Sequence, residues 1–249
     1  MEKVSVNFIS LGCPKNLVDS EVMLGLLDQN NFTIQNPEQK SNITVIDTCG
    51  FVEDSKQESI NTILEITERK KRGEIDMVVV TGCLSQRYAE DLPKLMPEVD
   101  LFIGTRDYDK LPELIRQRLD GKGRRVMVES PFYVPNDQTP RIQTTPKHFK
   151  YVKIAEGCSH RCSFCIIPHI RGDLHSRTVP SIKSEIQAGV ANGVKEFNLI
   201  SQDLNEYGRD LDERSSLYKL LSELEGVSGD FWLRLMYMYP LQFPNKLVE

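Results

Sequence analysis

A long hydrophobic run is the first thing that this sequence lacks. No stretch of the 249 residues approaches the roughly 18 apolar residues of a membrane span. The N-terminus, residues 1–7, has no apolar core of the kind found in secretion signals. Cysteine is sparse too, with six residues, which argues against a small secreted fold stapled by disulfides. We therefore expect a soluble, cytoplasmic protein with reduced thiols and no membrane partner.

Nucleotide-binding loops and an excess of positive charge are also missing. Neither a Walker motif nor a GxGxxG motif occurs, and the formal net charge is −5. Nucleic-acid binders usually carry a basic face, so this mild negative charge disfavours tRNA as a partner. The basic runs at 69–72 and 122–125 lie at predicted helix ends or turns, and we interpret them as solvated surface.

What the sequence does contain is a compact cysteine motif. Cys158, Cys162 and Cys165 follow the pattern C-x₃-C-x₂-C. Four-iron clusters normally take four cysteines, so three thiolates leave one iron open to bind another group. An open metal position is typical of a chemical site, whereas a closed one is typical of a structural site. A zinc site that adds His160 is the alternative, but zinc modules usually have a second pair of ligands, which is missing nearby.

The first 130 residues have the pattern of a parallel α/β sheet. Apolar, β-branched runs at 4–9, 43–46 and 78–80 are typical of buried parallel strands. Helical patterns follow at 17–27, from a capping box at Ser55 and Glu58 to residue 73, and at 86–95. A strand at 99–103, a helix at 111–119 and an extended segment at 125–128 complete this predicted domain.

Each of the first three predicted strands is followed by a cysteine. Cys13, Cys49 and Cys83 lie just beyond the strands, at the edge where open α/β sheets bind ligands. A single free cysteine is usually a small buried hydrophobic residue. Three at the same edge of one sheet instead predict a second three-cysteine cluster. A glycine adjoins each of them, which allows the backbone segments to approach closely.

The rest of the chain is predicted to be a linker and a second domain. Residues 131–147 contain four prolines among polar residues, which is typical of a linker. Strands are predicted at 151–155, 196–200 and 231–236, and helices at 182–191 and 217–224. Three such strand–helix repeats are expected for part of a (β/α) barrel.

Together these motifs resemble the radical S-adenosylmethionine (SAM) methylthiotransferase family. The resemblance covers essentially the whole chain and rests on SLGCPKNLVDSE at 10–21, DTCGF at 47–51, GCLSQRY at 82–88 and EGCSHRCSFCIIPHIRG at 156–172. It implies an α/β fold with an N-terminal methylthiotransferase domain at 1–130, a linker at 131–147 and the first half of a radical SAM partial barrel at 148–249. In that family further barrel strands and a TRAM domain follow, so we expect a truncated form or part of a longer protein.

Two [4Fe-4S] clusters and SAM are the cofactors that the resemblance implies. The auxiliary cluster belongs on the three strand-end cysteines, and the second cluster belongs on the C-x₃-C-x₂-C motif, where its open iron binds SAM. Phe164 is expected near the adenine, and Gln202 and Asp203 near the methionine moiety of SAM. No side chain is predicted as a general acid or base, because hydrogen abstraction by a radical requires none.

Three arginines are further candidates for cofactor contacts. Arg171 and Arg177 follow the cysteine loop and are candidates to bind SAM or substrate, with a surface role as the alternative for Arg177. Arg234 is a charge within an apolar predicted strand. Because a buried charge is costly unless it is paired, we expect Arg234 to face a ligand.

Local sequence best matches the branch of the family that modifies the twelfth small-subunit ribosomal protein. The implied reaction adds a methylthio group to the β-carbon of an aspartate, with an electron donor such as flavodoxin or ferredoxin. Two alternatives stay open at this point. One is a MiaB-like enzyme that methylthiolates tRNA adenosine, and the other is an inactive iron–sulfur fragment.

Overall fold

The computed structural model describes residues 4–36, 39–129, 134–211, 216–240, 243 and 245–247. The chain divides into two compact units. The first is Met1–Pro131 with Pro140–Ile142, and the second is Phe132–Thr139 with Gln143–Glu249. The functional assignment of the predicted domains 1–130 and 148–249 stays a prediction. Residues 130–133, where the predicted linker begins, lie outside the described residues.

A six-stranded parallel sheet forms the first unit. Its strands are β1 (Ser5–Ser10), β2 (Thr33–Gln35), β3 (Ile43–Thr48), β4 (Met77–Gly82), β5 (Leu101–Ile103) and β6 (Val126–Met127). They lie in the order β2-β1-β3-β4-β5-β6, and every neighbouring pair is parallel. Strands β3 and β4 are buried at every residue, as β-branched central strands of a parallel sheet should be. The predicted parallel α/β architecture is therefore confirmed.

Five helices accompany this sheet within the described residues. They are α1 (Pro14–Gln29), α2 (Glu53–Lys71), α3 (Cys83–Arg87), α4 (Leu92–Leu95) and α5 (Leu111–Leu119), with a 3₁₀ turn at Asp107–Lys110 before α5. The predicted capping box at Ser55 is wrong, because α2 begins at Glu53 and its N-cap, Val52, makes no side-chain cap. Acidic residues at 53 and 54 complement the helix dipole there instead.

The single helix predicted at 86–95 is two short helices, α3 and α4. Pro93 lies inside the predicted span, at the second position of α4. Proline lacks the N–H that a continuing helix needs and is tolerated only in a first turn. A continuous helix through Pro93 is therefore disfavoured, and a new helix begins at Leu92.

Packing of α2 against the sheet builds the core on one face. Ile63 and Ile66 of α2 meet Ile46 of β3 with Val78 and Val80 of β4, all at most 2% exposed. Burying each such side chain stabilises the fold by about 1.5–3 kcal/mol. This packing fixes the strands whose carboxyl ends carry cysteines.

Part of the predicted linker packs on the first unit. The backbone N–H of Ile142 donates to the carbonyl oxygen of Glu21 at 3.0 Å. Arg141 Nε donates to the buried Glu21 carboxylate at 2.8 Å. Residues 140–142 are thus attached to α1, although the described part of the linker has no regular helix or strand.

The second unit contains a smaller parallel sheet. Along the chain come β7 (Phe149–Lys153), β8 (Ala155–Glu156), α6 (Ile167–Arg171), β9 (His175–Ser176), α7 (Val179–Ala191), β10 (Glu196–Ile200), α8 (Leu217–Glu225) and β11 (Trp232–Leu235), with 3₁₀ turns at Leu204–Glu206 and Asn245–Leu247. The parallel sheet has the order β11-β10-β7, and β8 pairs antiparallel with β9.

Each strand of this sheet is added beside the previous one after a helical crossover, as in a (β/α) barrel. The core contains Val152, Phe197 and Leu199 from the strands and Ile186 and Leu220 from the helices, all 0% exposed. No helix in the described ranges is both long enough and apolar enough to cross a membrane.

Candidate functional site

The three cysteines of the first unit lie at the carboxyl ends of neighbouring strands. Cys13 precedes α1, Cys49 follows β3, and Cys83 opens α3 directly after β4. The strand order reverses between β1 and β3, and ligands of doubly wound sheets bind at such a switch point. Cys13 and Cys49 flank this point, and Cys83 directly follows the next strand, β4. Cys49 and Cys83 are buried, and Cys13 is half-buried.

Short contacts bring the three cysteine segments together. A Cβ atom placed on Gly12 would lie 3.3 Å from Cys49 Sγ, and one on Gly50 would lie 2.9 Å from the Cys83 carbonyl carbon. Only glycine permits this approach. The thiols of Cys13 and Cys83 lie 3.8 and 3.6 Å from the same amide oxygen, Asn16 Oδ1.

A buried serine fixes the third cysteine. Ser59 Oγ accepts the backbone N–H of Cys49 at 3.1 Å and lies 3.0 Å from the Cys49 carbonyl oxygen. Sequence reasoning missed both Ser59 and Asn16. Asn16 could have been found from its spacing, because residues three apart at a helix start lie on one face and Asn16 is three residues after Cys13. The thiol donor set and its shared location fit a cluster with one open iron, while the ligand role of each cysteine stays a prediction.

The second cysteine set occupies the loop after β8. Cys158 N–H donates to the Gly172 carbonyl at 3.0 Å, and Cys165 N–H donates to the Cys162 carbonyl at 3.0 Å. Cys158 and Cys165 are half-buried, and Cys162 is exposed. All three are free thiols.

Electrostatics in this loop favour a bound cation. Burial raises the pKa of the Cys158 thiol, and nearby negative charge on Cys165, Asp203 and Cys162 raises it further, although a hydrogen bond from the His160 backbone opposes this. The negative charges of the neighbouring sulfurs and of Asp203 thus oppose ionisation of the Cys158 thiol, and a bound cation would offset them. Iron supplies positive charge, so this donor set also fits a cluster.

Phe164, predicted to lie near the adenine, projects outward from this loop. Its side chain is 90% exposed, so an aromatic face is accessible beside the cysteines. Its contact with SAM stays a prediction.

A buried carboxylate lies beside the loop. Lys153 Nζ donates to Glu156 Oε2 at 2.6 Å, Arg171 donates to the same oxygen at 3.3 Å, and Gln202 Nε2 donates to Glu156 Oε1. Burial by itself raises the pKa of Glu156, but the positive charges of Lys153 and Arg171 with the hydrogen bonds outweigh burial and lower the pKa to about 2. Glu156 therefore orients two predicted cofactor residues, Arg171 and Gln202.

Gln202 also has an acceptor available to a ligand. Its Oε1 atom is buried and has no hydrogen-bond partner among the described residues. A buried acceptor of this kind requires a donor, and the ammonium group of SAM is one. Sequence reasoning missed Glu156 and Lys153, although a Glu directly before the cysteine loop was a visible signal.

Asp203, the other residue predicted near the methionine moiety, connects three loops. Its Oδ2 lies 2.8 Å from His160 Nε2, and its Oδ1 accepts N–H groups of Asn205 at 3.0 Å and Tyr239 at 3.3 Å. These bonds give Asp203 a positioning role for the cysteine loop, and its SAM contact stays a prediction.

His160, Asp203 and Glu206 place ligand atoms within 4.8 Å of one another. Glu206 also lies 2.9 Å from Arg209, and both oxygens of Asp203 are engaged. The group is therefore held together by its own hydrogen bonds and ion pairs.

Two predicted arginines are occupied by protein partners. Arg177 is buried and donates to Glu185 at 2.6 Å and to the Lys153 carbonyl at 3.0 Å. The premise for Arg234 is wrong, because its side chain is 58% exposed and paired with Glu196 at 3.0 Å. Alternation along β11 turns Trp232 and Arg234 toward solvent, while Leu233 packs inward. The cofactor contacts of Arg177 and Arg234 stay predictions. Neither arginine is a buried charge that needs a ligand as its partner, because each is paired with a glutamate.

The loop geometry makes Gly157 a sensitive position. Its φ is +79°, and an added Cβ would lie 1.9 Å from the Asp173 carbonyl oxygen. Gly193 has a similar φ of +86°, but an added Cβ there meets nothing within 4 Å. We expect Gly157→Ala to destabilise the second unit by about 1–3 kcal/mol more than Gly193→Ala, because it adds a clash to the shared backbone strain.

Urea unfolding followed by fluorescence of Trp232, the only tryptophan of the chain, measures this difference. Equal losses of stability in the two variants would contradict the expectation.

The chain matches one family model and a series of curated proteins. Residues 5–104 match the uncharacterized protein family UPF0004. Over 249 residues the chain is 48% identical to a protein named ribosomal protein uS12 methylthiotransferase RimO from Syntrophotalea carbinolica, covering 100% of this chain and 55% of that protein. The protein of the same name from Citrifermentans bemidjiense is 45% identical, over 99% of this chain and 55% of that protein. The chain thus spans about 55% of the length of these relatives.

Solved structures are similar in fold. The radical SAM methyltransferase TsrM from Kitasatospora setae, with tryptophan and a SAM analogue bound, matches with a TM-score of 0.60 and 15% identity, covering 89% of this chain and 50% of that chain. The cobalamin-dependent SAM radical enzyme OxsB matches with a TM-score of 0.58 and 10% identity, covering 93% of this chain and 38% of that chain. The prediction of an α/β chain with a partial radical SAM fold is confirmed.

Proposed function

We propose that this chain, which belongs to the RimO family of radical SAM methylthiotransferases, transfers a methylthio group to the β-carbon of an aspartate in ribosomal protein uS12. The observation that carries the proposal is one three-cysteine set in each unit, both located at strand ends. The proposed reaction needs one cluster that binds SAM and one that holds the sulfur, and two sets of three cysteines match that requirement. The reaction belongs in the cytoplasm, where an electron donor such as flavodoxin or ferredoxin supplies electrons.

The cofactors of this proposal are two [4Fe-4S] clusters and SAM. Cys13, Cys49 and Cys83 would hold the auxiliary cluster, and Cys158, Cys162 and Cys165 the other. When bound, these groups supply one-electron cleavage of SAM, a radical able to abstract hydrogen from carbon, and the sulfur that is transferred.

The chain's own residues bind and orient in this proposal. Glu156 holds Gln202 so that its free Oε1 accepts the SAM ammonium group. Asp203 fixes the cysteine loop through His160. The exposed ring of Phe164 provides a surface for the adenine.

The basic run at 69–72 favours a protein substrate over tRNA. The basic run at 69–72 is neutralised by ion pairs, which join Arg69 and Arg72 to Glu74, Lys70 to Asp100, and Lys71 to Glu68 and Glu98. Phosphate contacts require basic side chains that are free to replace counterions. This run therefore supports the protein substrate.

The test is a competition between substrates. The anaerobically reconstituted protein, in the length in which its organism makes it, is incubated with SAM, a reductant, and either uS12 or tRNA. We expect mass spectrometry to find a methylthio group replacing one hydrogen on an aspartate of uS12, with tRNA unchanged. Methylthiolated adenosine with unmodified uS12 would move the chain to the MiaB-like alternative, and modification of neither would favour the inactive iron–sulfur form.

A further inference from the structure

One side chain contacts the segments of all three cysteines in the first unit. Asn16 is 0% exposed and lies in the first turn of α1. Its Nδ2 donates to the carbonyl oxygen of Thr48, the residue before Cys49, at 2.9 Å. Its Oδ1 lies 3.8 Å from Cys13 Sγ and 3.6 Å from Cys83 Sγ.

An ordinary buried asparagine offers a direct comparison in the same unit. Asn7 is 2% exposed, and its Nδ2 donates to the Gln39 carbonyl at 2.8 Å. Both amides thus bond a backbone carbonyl across a long sequence separation. Only Asn16 also places its amide within hydrogen-bonding range of two thiols, since sulfur bonds extend to about 4 Å.

The location of Asn16 determines what it can do. The Thr48 bond fixes the amide plane to the end of β3, and the thiols of Cys13 and Cys83 converge on its other end. This side chain therefore links the Cys13 and Cys83 sulfurs to the Cys49 segment. Partners that orient metal ligands change metal affinity by about 10- to 100-fold when they are removed.

We propose that Asn16 is a positioning residue for the cluster held by Cys13, Cys49 and Cys83, setting the spacing of the sulfurs and providing the uncharged polar group beside two of them. The inference rests on the proposed function, since it presumes that these cysteines hold iron. An amide carries no net charge, and the charge and polar groups around the sulfurs tune cluster potentials. A carboxylate at the same place adds negative charge next to an anionic cluster.

The experiment isolates this site by working in the Cys158→Ala, Cys162→Ala, Cys165→Ala background of the full chain. Asn16→Asp is compared with Asn7→Asp, which makes the same isosteric change at a buried amide away from the cysteines. Each protein is reconstituted with iron and sulfide, challenged with a chelator, and titrated by EPR. We expect Asn16→Asp to retain iron about 10- to 100-fold more weakly and to shift the potential to more negative values, while Asn7→Asp matches the parent.

Three outcomes are decisive. Equal iron retention and potential in Asn16→Asp, Asn7→Asp and the parent would overturn the role of Asn16 and leave the proposed function standing. Absence of iron in the parent itself would overturn the proposed function. If circular dichroism finds Asn16→Asp unfolded, Asn16→Ser, which is small and uncharged, replaces it. Iron retention equal to that of the parent in Asn16→Ser would overturn the inference, and weakened iron retention would support it.

Discussion

Replacing Cys158, Cys162 and Cys165 together with alanine is expected to remove about half of the iron from the reconstituted chain. The intact chain should hold about eight irons, four in each cubane cluster. The loop after β8 is attached by backbone bonds that do not involve the thiols, such as Cys158 N–H to Gly172, so the second unit should stay folded. Iron and sulfide analysis with EPR measures the loss.

The two cysteine sets should differ in their response to SAM. In the intact chain we expect added SAM to alter the EPR signal of the reduced protein, because the proposed second cluster would bind SAM at its open iron position. That response should vanish in the Cys158, Cys162 and Cys165 variant. It should persist in a matched variant with alanine at Cys13, Cys49 and Cys83, which also loses about half of the iron. Under the proposed function, this matched variant should also lose methylthio transfer to uS12.

A zinc content near one per chain without iron uptake would refute the two-cluster interpretation. A SAM response that disappears with the strand-end cysteines, while the protein stays folded, would exchange the roles of the two sites.

Glu156→Gln is expected to destabilise the second unit by about 3–5 kcal/mol. The substitution leaves Lys153 and Arg171, which are 1% and 4% exposed, without the carboxylate that they share. Removing one partner of a buried ion pair weakens the compensation of the remaining charge and carries a cost of this size. Trp232, in β11 of the same unit, reports the unfolding transition in urea by fluorescence.

The control is Glu223→Gln, which breaks the ion pair to Lys183 at 2.9 Å, where the side chains are 49% and 30% exposed. Solvent screens an exposed pair of this kind, so this variant should unfold close to the parent. Similar losses in both variants would contradict the role of Glu156 as a buried counter-charge.

Acid should reproduce the effect of the substitution. The pKa of Glu156 is lowered in the folded state from 4.5 to about 2. Its contribution to stability is therefore fully present above pH 4.5 and is lost as the pH falls toward 2. Over that window the stability difference between the parent and Glu156→Gln should shrink, and urea midpoints at several pH values measure it.

Elements with strong local signals were predictable from the sequence. The short β-branched runs of β3 and β4 indicate buried strands through their composition and length. The apolar spacing of α5 indicates an amphipathic helix through its period. The strand at Glu196–Ile200 and the helix at Leu111–Leu119 have the predicted bounds. Helix starts were less predictable, since the Ser55 box competed with acidic residues just before it.

Contacts between distant residues were beyond local pattern. Gln202 and Glu156 are 46 residues apart, and Cys83 and Asn16 are 67 apart, so only strand order brings each pair together. The burial of Arg234 was also misjudged. Period-2 alternation distinguishes the two faces of β11 but does not tell which face other residues cover.

The sequence by itself determined the candidate donor groups of this protein: six cysteines in two sets of three, each set after a predicted strand, and the motifs that resemble radical SAM methylthiotransferases. Thiol identity and local periodicity are properties of the chain, so no tertiary contact was needed to find them. Only the tertiary structure decided what surrounds those cysteines. The contacts of Asn16 with Cys83 and of Glu156 with Gln202 join residues 67 and 46 positions apart. Burial, which gives these hydrogen bonds and the charges of Glu156, Lys153 and Arg171 their strength, exists only in the folded protein.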